Sequence, residues 1–274
     1  MNELDINNPQ LPDFIVPGAD EKKQDEPAKI KVIGVGGGGG NAVNHMYHQG
    51  IGGVSFVLCN TDAQALRNSP VPVKVQLGAK GEGAGNIPEV AKKLAEESAA
   101  EVEALFDDNT RMAFITAGMG GGTGTGAAPV VARIAKEKGV LTVGIVTIPF
   151  LFEGEPKILQ AFAGVEEMRK HVDALLVINN ERLCKIYPDL SWTTAFAKAD
   201  DSLSNAARSI AELVSKDGKI NLDFADVRTT LKDGGAAVIS TGSGEGEHRM
   251  SRAIQNALTV SYTHLRAHET RRHL

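Results

Sequence analysis

Two glycine-rich loops are the residues of this sequence best suited to bind an anion. The first is GVGGGGGN, Gly34–Asn41, and the second is GMGGGTGTG, Gly118–Gly126. Each follows an apolar run typical of a buried strand and precedes a helical pattern. Glycine lets the main chain come close to an anion, and the N–H groups of a helix N-terminus attract negative charge. Two such loops predict a chain of phosphates bound from two sides.

A dinucleotide cofactor is the main alternative. The first loop fits G-x-G-x-x-G at Gly34, Gly36 and Gly39, and Asp62 follows about twenty residues later, as in nicotinamide- and flavin-binding folds. The second loop weighs against this hypothesis, because a dinucleotide fold holds its pyrophosphate with one glycine loop. A further alternative is that the glycines only make tight turns.

Neither loop contains the lysine of a P-loop, since G-K-[ST] occurs nowhere in the sequence. The phosphate charge would therefore be met by backbone N–H groups, by the hydroxyls of Thr123 and Thr125, and by Mg²⁺.

The elements that must position these loops are apolar runs alternating with helical patterns. The runs predict strands buried on both faces at 30–34, 54–60, 73–77, 112–118, 141–148 and 174–179. Helical spacing predicts helices at 41–49, 88–107, 127–138 and 157–170. Strict alternation predicts an α/β fold with a doubly wound, mostly parallel Rossmann-like sheet. Ligands of such a sheet bind beyond the carboxyl ends of its strands.

The chain divides into five segments by composition and periodicity. These are a disordered N-terminal arm (1–28), the nucleotide-binding domain (29–190), a long central core helix (191–217), a loop with a short helix and the start of a partial second α+β domain (218–259), and an atypical tail (260–274). In the fourth segment we expect a strand at 236–240 that is short of neighbours, and a helix near 249–258.

Composition excludes several classes of protein. The 274 residues carry a net charge of −5 and no basic cluster interleaved with aromatics, so a nucleic-acid partner is not expected. No run of 18 apolar residues and no signal peptide occur, so we expect neither secretion nor insertion in a membrane. Cys59 and Cys184 are too few for a disulfide framework and fit buried core positions in a reducing cytosol.

The motifs together resemble the FtsZ branch of the tubulin/FtsZ superfamily, in which GGGTGTG is a specific signature. The resemblance extends from about Lys29 to about Leu258. Besides the two glycine loops it is carried by NTDAQAL (60–66), GAGNIPEVA (83–91), PFLFEG (149–154) and NLDFADVR (221–228). It implies a GTPase that uses GTP/GDP and Mg²⁺ and polymerises head to tail into filaments of the division ring in the cytoplasm.

The resemblance also implies a set of phosphate-binding residues in the two loops: Gly36, Gly37, Gly38, Gly39, Gly40, Asn41, Gly120, Gly121, Gly122, Thr123, Gly124, Thr125 and Gly126. Asn60 and Asp62 would lie near the metal and the γ-phosphate. No protein cluster that holds a metal by itself is expected.

Ribose and base would be bound by residues further along the chain. By resemblance, Glu153 and Lys157 would contact the ribose and phosphates, although the family more often has Arg at the second position, and lysine is a point charge without a guanidinium fork.

Guanine would be recognised by Asn180 and by Asp200 or Asp201, with Phe196 against its face. A carboxylate can accept from both N1–H and N2–H of guanine, which suits the choice of GTP over ATP. Considered alone, the two Asp residues fit solvated helix positions, Phe196 fits a core position, and Asn180 fits a helix cap for 181–186.

Three polar residues of NLDFAD, namely Asn221, Asp223 and Asp226, begin a short helix. Alone they fit a capping role, whereas the resemblance implies that the two Asp residues position the water that attacks the γ-phosphate. The helix from Asp201 to Lys216 would separate this loop from the base by about 22 Å. The carboxylates are therefore expected to act on the nucleotide of a neighbouring subunit.

The end of the chain departs from the family. The tail VSYTHLRAHETRRHL matches no family segment, and its His264, His268 and His273 are not expected to form a metal site. We expect a truncated second domain and no C-terminal peptide for membrane tethers and division regulators, which the resemblance otherwise implies as partners. A GTP-binding scaffold without turnover, and less favourably an oxidoreductase, remain alternatives.

Overall fold

The computed structural model describes residues 29–181, 183, 192–215, 224–236 and 244–255. Their centre is one sheet of seven strands in the order β3-β2-β1-β4-β5-β6-β7, in which every neighbouring pair is parallel. The strands are β1 (Lys29–Val35), β2 (Val54–Asn60), β3 (Val73–Gln76), β4 (Thr110–Gly118), β5 (Leu141–Ile148), β6 (Ala174–Asn179) and β7 (Gly235–Ala236). The expected parallel α/β fold is confirmed.

Helices connect and cover the strands. They are α1 (Gly36–His48), α2 (Ala63–Asn68), α3 (Pro88–Glu97), α4 (Ala99–Ala104), α5 (Gly122–Glu137), α6 (Glu155–His171), α7 (Trp192–Ser215) and α8 (Phe224–Leu231), with a 3₁₀ turn at Leu151–Glu153. Residues 249–255 are also helical. In this part of the chain, no helix has the length and apolarity needed to cross a membrane.

Two apolar layers cover the two faces of the sheet, as a doubly wound fold requires. On β4, Ile115 points into the layer that contains Val131 of α5. Its neighbour Phe114 points into the opposite layer with Met46 of α1 and Leu203 of α7. Because side chains alternate along a strand, β1 and β4 divide their residues between both layers and lie at the centre of the fold.

The largest differences between the observed helices and the sequence expectation occur at three places. The predicted helix 88–107 is broken at Ser98, whose backbone leaves the helical region (φ −102°, ψ 25°) and whose Oγ accepts a hydrogen bond from Gly78 N at 2.9 Å. Helices α1 and α5 begin at Gly36 and Gly122, inside the glycine loops. Glycine disfavours helix locally, so tertiary contacts must hold these first turns.

Burial of the strands also differs from the expectation at the sheet edges. All residues of β5 are buried, whereas on β3 only Val75 is buried and Val73 is 44% exposed. The prediction of burial on both faces was therefore wrong for β3, because an edge strand lies outside the area that the helices cover.

The run that begins at Ala236 has a neighbouring strand on one side. Ala236 pairs with Leu175, which makes β7 an outer strand of the main sheet. Residues 237–240 lie outside the described residues, so the expectation of a strand short of neighbours stays a prediction for the rest of this run. The division into two domains stays a prediction, and so do the proposed arm (1–28) and tail (260–274), which lie outside the described residues as well.

Of the two cysteines, Cys59 is a fully buried, free thiol on β2. Burial raises its pKa to about 12, so the thiol is protonated and behaves as a core residue, as expected. Cys184 lies outside the described residues.

Candidate nucleotide-binding site

The two glycine loops touch each other at the carboxyl edge of the sheet. They follow β1 and β4, which are adjacent, and they lead into α1 and α5. A Cβ placed on Gly36 would lie 2.8 Å from Gly124 N, and one on Gly38 would lie 3.1 Å from Gly118 Cα. Main chain therefore packs directly on main chain, and the two helix N-termini open onto one surface.

Some glycines of the loops are required by packing. A Cβ on Gly39 would lie 2.2 Å from Thr116 O, one on Gly124 would lie 2.3 Å from Gly118 O, and one on Gly126 would lie 2.0 Å from Pro88 O. These approaches exclude any side chain. At these positions glycine is required by close packing, which is a structural role beyond turning the chain.

Other glycines are open. A Cβ placed on Gly37 would meet no neighbouring atom of the described chain within 4 Å, and on Gly40 and Gly121 the nearest neighbours would lie at 4.0 and 3.9 Å. Gly37 and Gly38 are also exposed. These positions leave the main chain accessible to a phosphate, which is the property expected of an anion-binding loop.

The two loop threonines have different environments. Thr123 Oγ1 is 2.7 Å from Thr61 Oγ1, which joins the second glycine loop to the end of β2. Thr125 is buried, and its Oγ1 accepts a hydrogen bond from Gly120 N at 2.9 Å. Thr125 thus holds the loop in shape. Thr61 was missed by the sequence analysis, and its place between Asn60 and Asp62 was the only signal.

Asn60 and Asp62 shape the turn that leads into α2. Asn60 Oδ1 accepts from Asp62 N at 3.2 Å, and Asp62 Oδ1 accepts from Gln64 N at 2.8 Å and Ala65 N at 3.2 Å. Asp62 is thus an N-cap. These bonds leave Asp62 Oδ2 for another partner.

No group of three or more His, Cys, Asp or Glu that could hold a metal occurs in the described ranges. The side-chain oxygens of Asn60 and Asp62 are donors of the kind that fits Mg²⁺, which commonly takes few protein ligands and keeps water and phosphate oxygens.

The segment before α6 borders the second glycine loop. Glu153 Oε1 accepts from Phe150 N at 3.0 Å, and its Oε2 is 3.4 Å from Lys157 Nζ. A Cβ on Gly120 would lie 2.8 Å from Lys157 O, so the backbone of α6 packs on this loop. The structure therefore places Glu153 and Lys157 next to the second glycine loop.

Gln160 is a second residue that the sequence analysis missed. Its Nε2 donates to Gly120 O at 3.0 Å and to Asn86 O at 3.5 Å. It thereby joins the second glycine loop to the segment 83–91. Its only sequence signal is its position about one helical turn after Lys157.

Phe196 is on the surface of α7 and not in the core. Its side chain is 44% exposed, whereas Phe150 beneath it is fully buried. The two rings meet edge to face, with centroids 5.1 Å apart and an interplanar angle of 80°. The core alternative for Phe196 is therefore wrong, and the exposed ring is free to stack on a planar ligand.

Asn180 is buried, and its Oδ1 has no hydrogen-bond partner among the described residues. The helix-cap alternative is not supported, because Glu181 N donates instead to Asn179 Oδ1 at 3.1 Å. A buried amide oxygen without a donor is rare in folded proteins. It fits a site where a ligand supplies the N–H group.

The neighbouring carboxylates Asp200 and Asp201 differ in their partners. Asp201 Oδ1 is 2.8 Å from His45 Nε2, and its Oδ2 is 3.4 Å from Lys198 Nζ. Asp200 makes no hydrogen bond or ion pair with the rest of the described chain. Partial burial raises the pKa of Asp200 to about 6, against the lowering effect of His45 and with a smaller contribution from Asp201. Asp200 is therefore the carboxylate left available.

Asp226 lies near the amino ends of the strands, whereas the glycine loops lie at their carboxyl ends. It is exposed on α8, two residues after Phe224, whose ring lies 4.3 Å from the Arg111 guanidinium carbon. Arg111 is near the amino end of β4, a strand of nine residues whose carboxyl end carries the second glycine loop. Such a strand is about 26 Å long, so one subunit does not bring Asp226 to its own loops. Asn221 and Asp223 lie outside the described residues.

Comparisons with known proteins agree with this geometry. Residues 29–188 match the family described as "Tubulin/FtsZ family, GTPase domain". The cell division protein FtsZ of Porphyromonas gingivalis is 66% identical over 237 residues, which are 85% of this chain and 52% of that protein. An FtsZ dimer from M. jannaschii is 44% identical with a TM-score of 0.80, over 86% of this chain and 69% of that one. The chain thus spans about half the length of the P. gingivalis relative.

The packed and open glycines lead to a matched prediction about stability. Gly39→Ala should lower the free energy of unfolding by about 1–3 kcal/mol or more, because the new methyl group overlaps Thr116 O. Gly37→Ala should leave it unchanged or slightly raised, because that Cβ meets nothing and alanine favours helix. Urea unfolding of the two ligand-free variants measures these changes. Equal unfolding midpoints for Gly39→Ala and Gly37→Ala would contradict the distinction between packed and open glycines.

Proposed function

Because the chain belongs to the tubulin/FtsZ family, we propose that it binds GTP and hydrolyses it during head-to-tail assembly into filaments of the division ring. The observation that carries the proposal is the separation of the glycine loops from Asp226. The glycine loops are at the carboxyl ends of the strands, and Asp226 is near the amino ends. Since the chain spans only part of its relatives' length, this activity is an inference for the whole protein.

The triphosphate would lie on the surface that the two loops share. The open glycines Gly37, Gly40 and Gly121 would present backbone N–H groups to it, and the N-termini of α1 and α5 would add their dipoles. Mg²⁺, when bound, would neutralise phosphate charge, with Asn60 or Asp62 as its protein ligand. Glu153 and Lys157 would contact the ribose and phosphates.

Guanine would be bound between α7 and the end of β6. The exposed ring of Phe196 offers a face for stacking, and the unpartnered Oδ1 of buried Asn180 can accept from a ligand N–H. Asp200 would accept from N1–H and N2–H of the base, because Asp201 is already paired with His45. Adenine lacks this pair of donors, so the choice of GTP over ATP would depend on Asp200.

Hydrolysis would use carboxylates of the next subunit. In a head-to-tail contact, the edge that carries Asp226 meets the nucleotide edge of a neighbour, and a contact of this kind that does not close produces a filament. Asp226, with Asn221 and Asp223, would then orient the attacking water. Leu151 on the 3₁₀ turn and Leu159 on α6, which are 63% and 62% exposed, would be covered in that contact.

Asp226→Ala should retain GTP binding and lose turnover by about 100-fold or more, because it removes a carboxylate that positions and polarises water. Phosphate release and GTP affinity, measured at several protein concentrations, test this. Thr229→Ala is the matched control, since Thr229 is exposed on the same helix and its hydroxyl donates back to Ala225 O. Normal turnover in Asp226→Ala would refute the catalytic assignment. If the turnover per molecule of the wild-type protein does not change on dilution, action between subunits is refuted.

The raised pKa of Asp200 predicts a pH dependence of GTP affinity. Only the ionised carboxylate accepts both guanine protons, so affinity should fall as pH falls through about 6. Asp200→Asn should bind GTP more weakly at pH 7.5 and lose this component of the pH dependence. Titration of the phosphates is common to both proteins and cancels in the comparison. Equal pH profiles for the two proteins between pH 5 and 8 would exclude Asp200 as the guanine contact.

The same pKa shift changes the stability of the GTP-free protein in the opposite direction to its GTP affinity. A carboxyl whose pKa is raised in the folded state binds protons more tightly there than in the unfolded chain, so this group stabilises the fold as pH falls through about 6. Loss of GTP affinity at that pH is therefore distinguishable from unfolding, which a thermal melt at each pH monitors.

A further inference from the structure

We propose that Lys136, Asp173 and Asp233 form an amino-edge latch that holds the helix α8 and so positions Asp226 for the nucleotide of the neighbouring subunit. The proposal rests on the proposed function of Asp226. The latch residues would act only through that carboxylate, and they lie at the edge of the sheet opposite to the glycine loops of their own subunit.

The ammonium group of Lys136 is the centre of the latch. Its Nζ is 3.1 Å from Asp173 Oδ1 and 3.2 Å from Asp233 Oδ1, and it donates to Val172 O at 3.3 Å. An ammonium group has three N–H donors, so these acceptors match its full capacity. Partial burial lowers the pKa of Lys136, but the bonds and charges of Asp173 and Asp233 outweigh it and leave the pKa raised.

Asp173 anchors the latch in the sheet. It is 4% exposed, its Oδ2 accepts from Thr142 N at 2.9 Å, and its own N–H donates to Thr142 O at 2.8 Å. Its carbonyl accepts from Gly235 N at 3.1 Å, at the start of β7. A buried carboxylate needs such partners. Lys136 is thus attached to the amino ends of β5 and β6 and to the segment that follows α8.

Asp233 joins this anchor to the end of α8. The helix ends at Leu231, whose carbonyl accepts from Gly234 N at 3.1 Å, and Asp233 adopts a left-handed backbone with φ 54°. Aspartate is among the few residues that tolerate this conformation. The side chain of Asp233 is 70% exposed. An ion pair so exposed adds little to global stability, so its expected effect is on the placement of α8.

The start of α8 is held by a different contact. Phe224 is buried in the apolar layer with Phe114 and lies under the Arg111 guanidinium. Val227, one turn later, is also buried. These two residues fix the rotation of the helix, and the latch fixes its far end. Asp226 lies between the two attachments, on the exposed side.

The latch makes a specific kinetic prediction because misplacement of a catalytic group by about 1 Å can lower turnover by about 100-fold. Asp233→Asn removes the charge at the exposed end, and we expect saturated GTP turnover in filaments to fall by roughly 3–10-fold. GTP affinity, the sedimented fraction and the thermal midpoint should stay unchanged.

Asp107→Asn is the matched control. Asp107 is 66% exposed, lies 3.3 Å from Lys138 Nζ and belongs to the same edge of the sheet, but it follows α4 and not α8. Its substitution should leave turnover unchanged. In an Asp226→Ala background, Asp233→Asn should cause no further loss, since the group that it positions is absent.

The outcomes separate the two proposals. If Asp226→Ala keeps turnover, the proposed role of Asp226 fails and the latch falls with it. If Asp226→Ala loses turnover while Asp233→Asn has the same GTP turnover as Asp107→Asn, only the latch is refuted. If the GTP turnover of Asp233→Asn falls together with its GTP affinity or its thermal midpoint, the effect is a general structural one. That outcome would also refute the latch.

Discussion

The contact between two glycine loops at the carboxyl ends of β1 and β4 is the constraint on which the rest of the site depends. Gly36 meets Gly124, and Gly38 meets Gly118, at distances that leave little room for a side chain. This contact brings the N-termini of α1 and α5 onto one surface, and the main chain of Gly37, Gly40 and Gly121 stays open. In the proposed function, phosphate binding would therefore be a property of main chain, and the side chains around it would select and orient the nucleotide.

The length of the sheet imposes the second constraint. The residues on α7 that we propose to recognise the base lie near the carboxyl ends of the strands, as the glycine loops do, whereas α8 is attached near the amino ends by Phe224 and by the Lys136 cluster. A separation of about 26 Å, set by β4, exceeds the reach of any side chain. Chemistry between these edges requires two molecules, which couples hydrolysis to assembly in the proposed function.

Most of the fold was predictable from hydrophobic patterns, because buried parallel strands and amphipathic helices are encoded locally. The runs 54–60, 141–148 and 174–179 agree with the strands residue for residue. The predictions were wrong where distant contacts override local preference. Glycines begin α1 and α5, and Ser98 leaves the helix to bond Gly78.

The sequence by itself determined the two glycine loops, the parallel sheet and the set of candidate polar residues, because these depend on residue types at short spacing. Only the tertiary structure decided between residues of the same type. Asp201 is paired with His45 while Asp200 is available, and Thr125 holds its loop while Thr123 bonds Thr61. Such differences depend on partners from distant parts of the chain, and spacing along one segment carries no information about them.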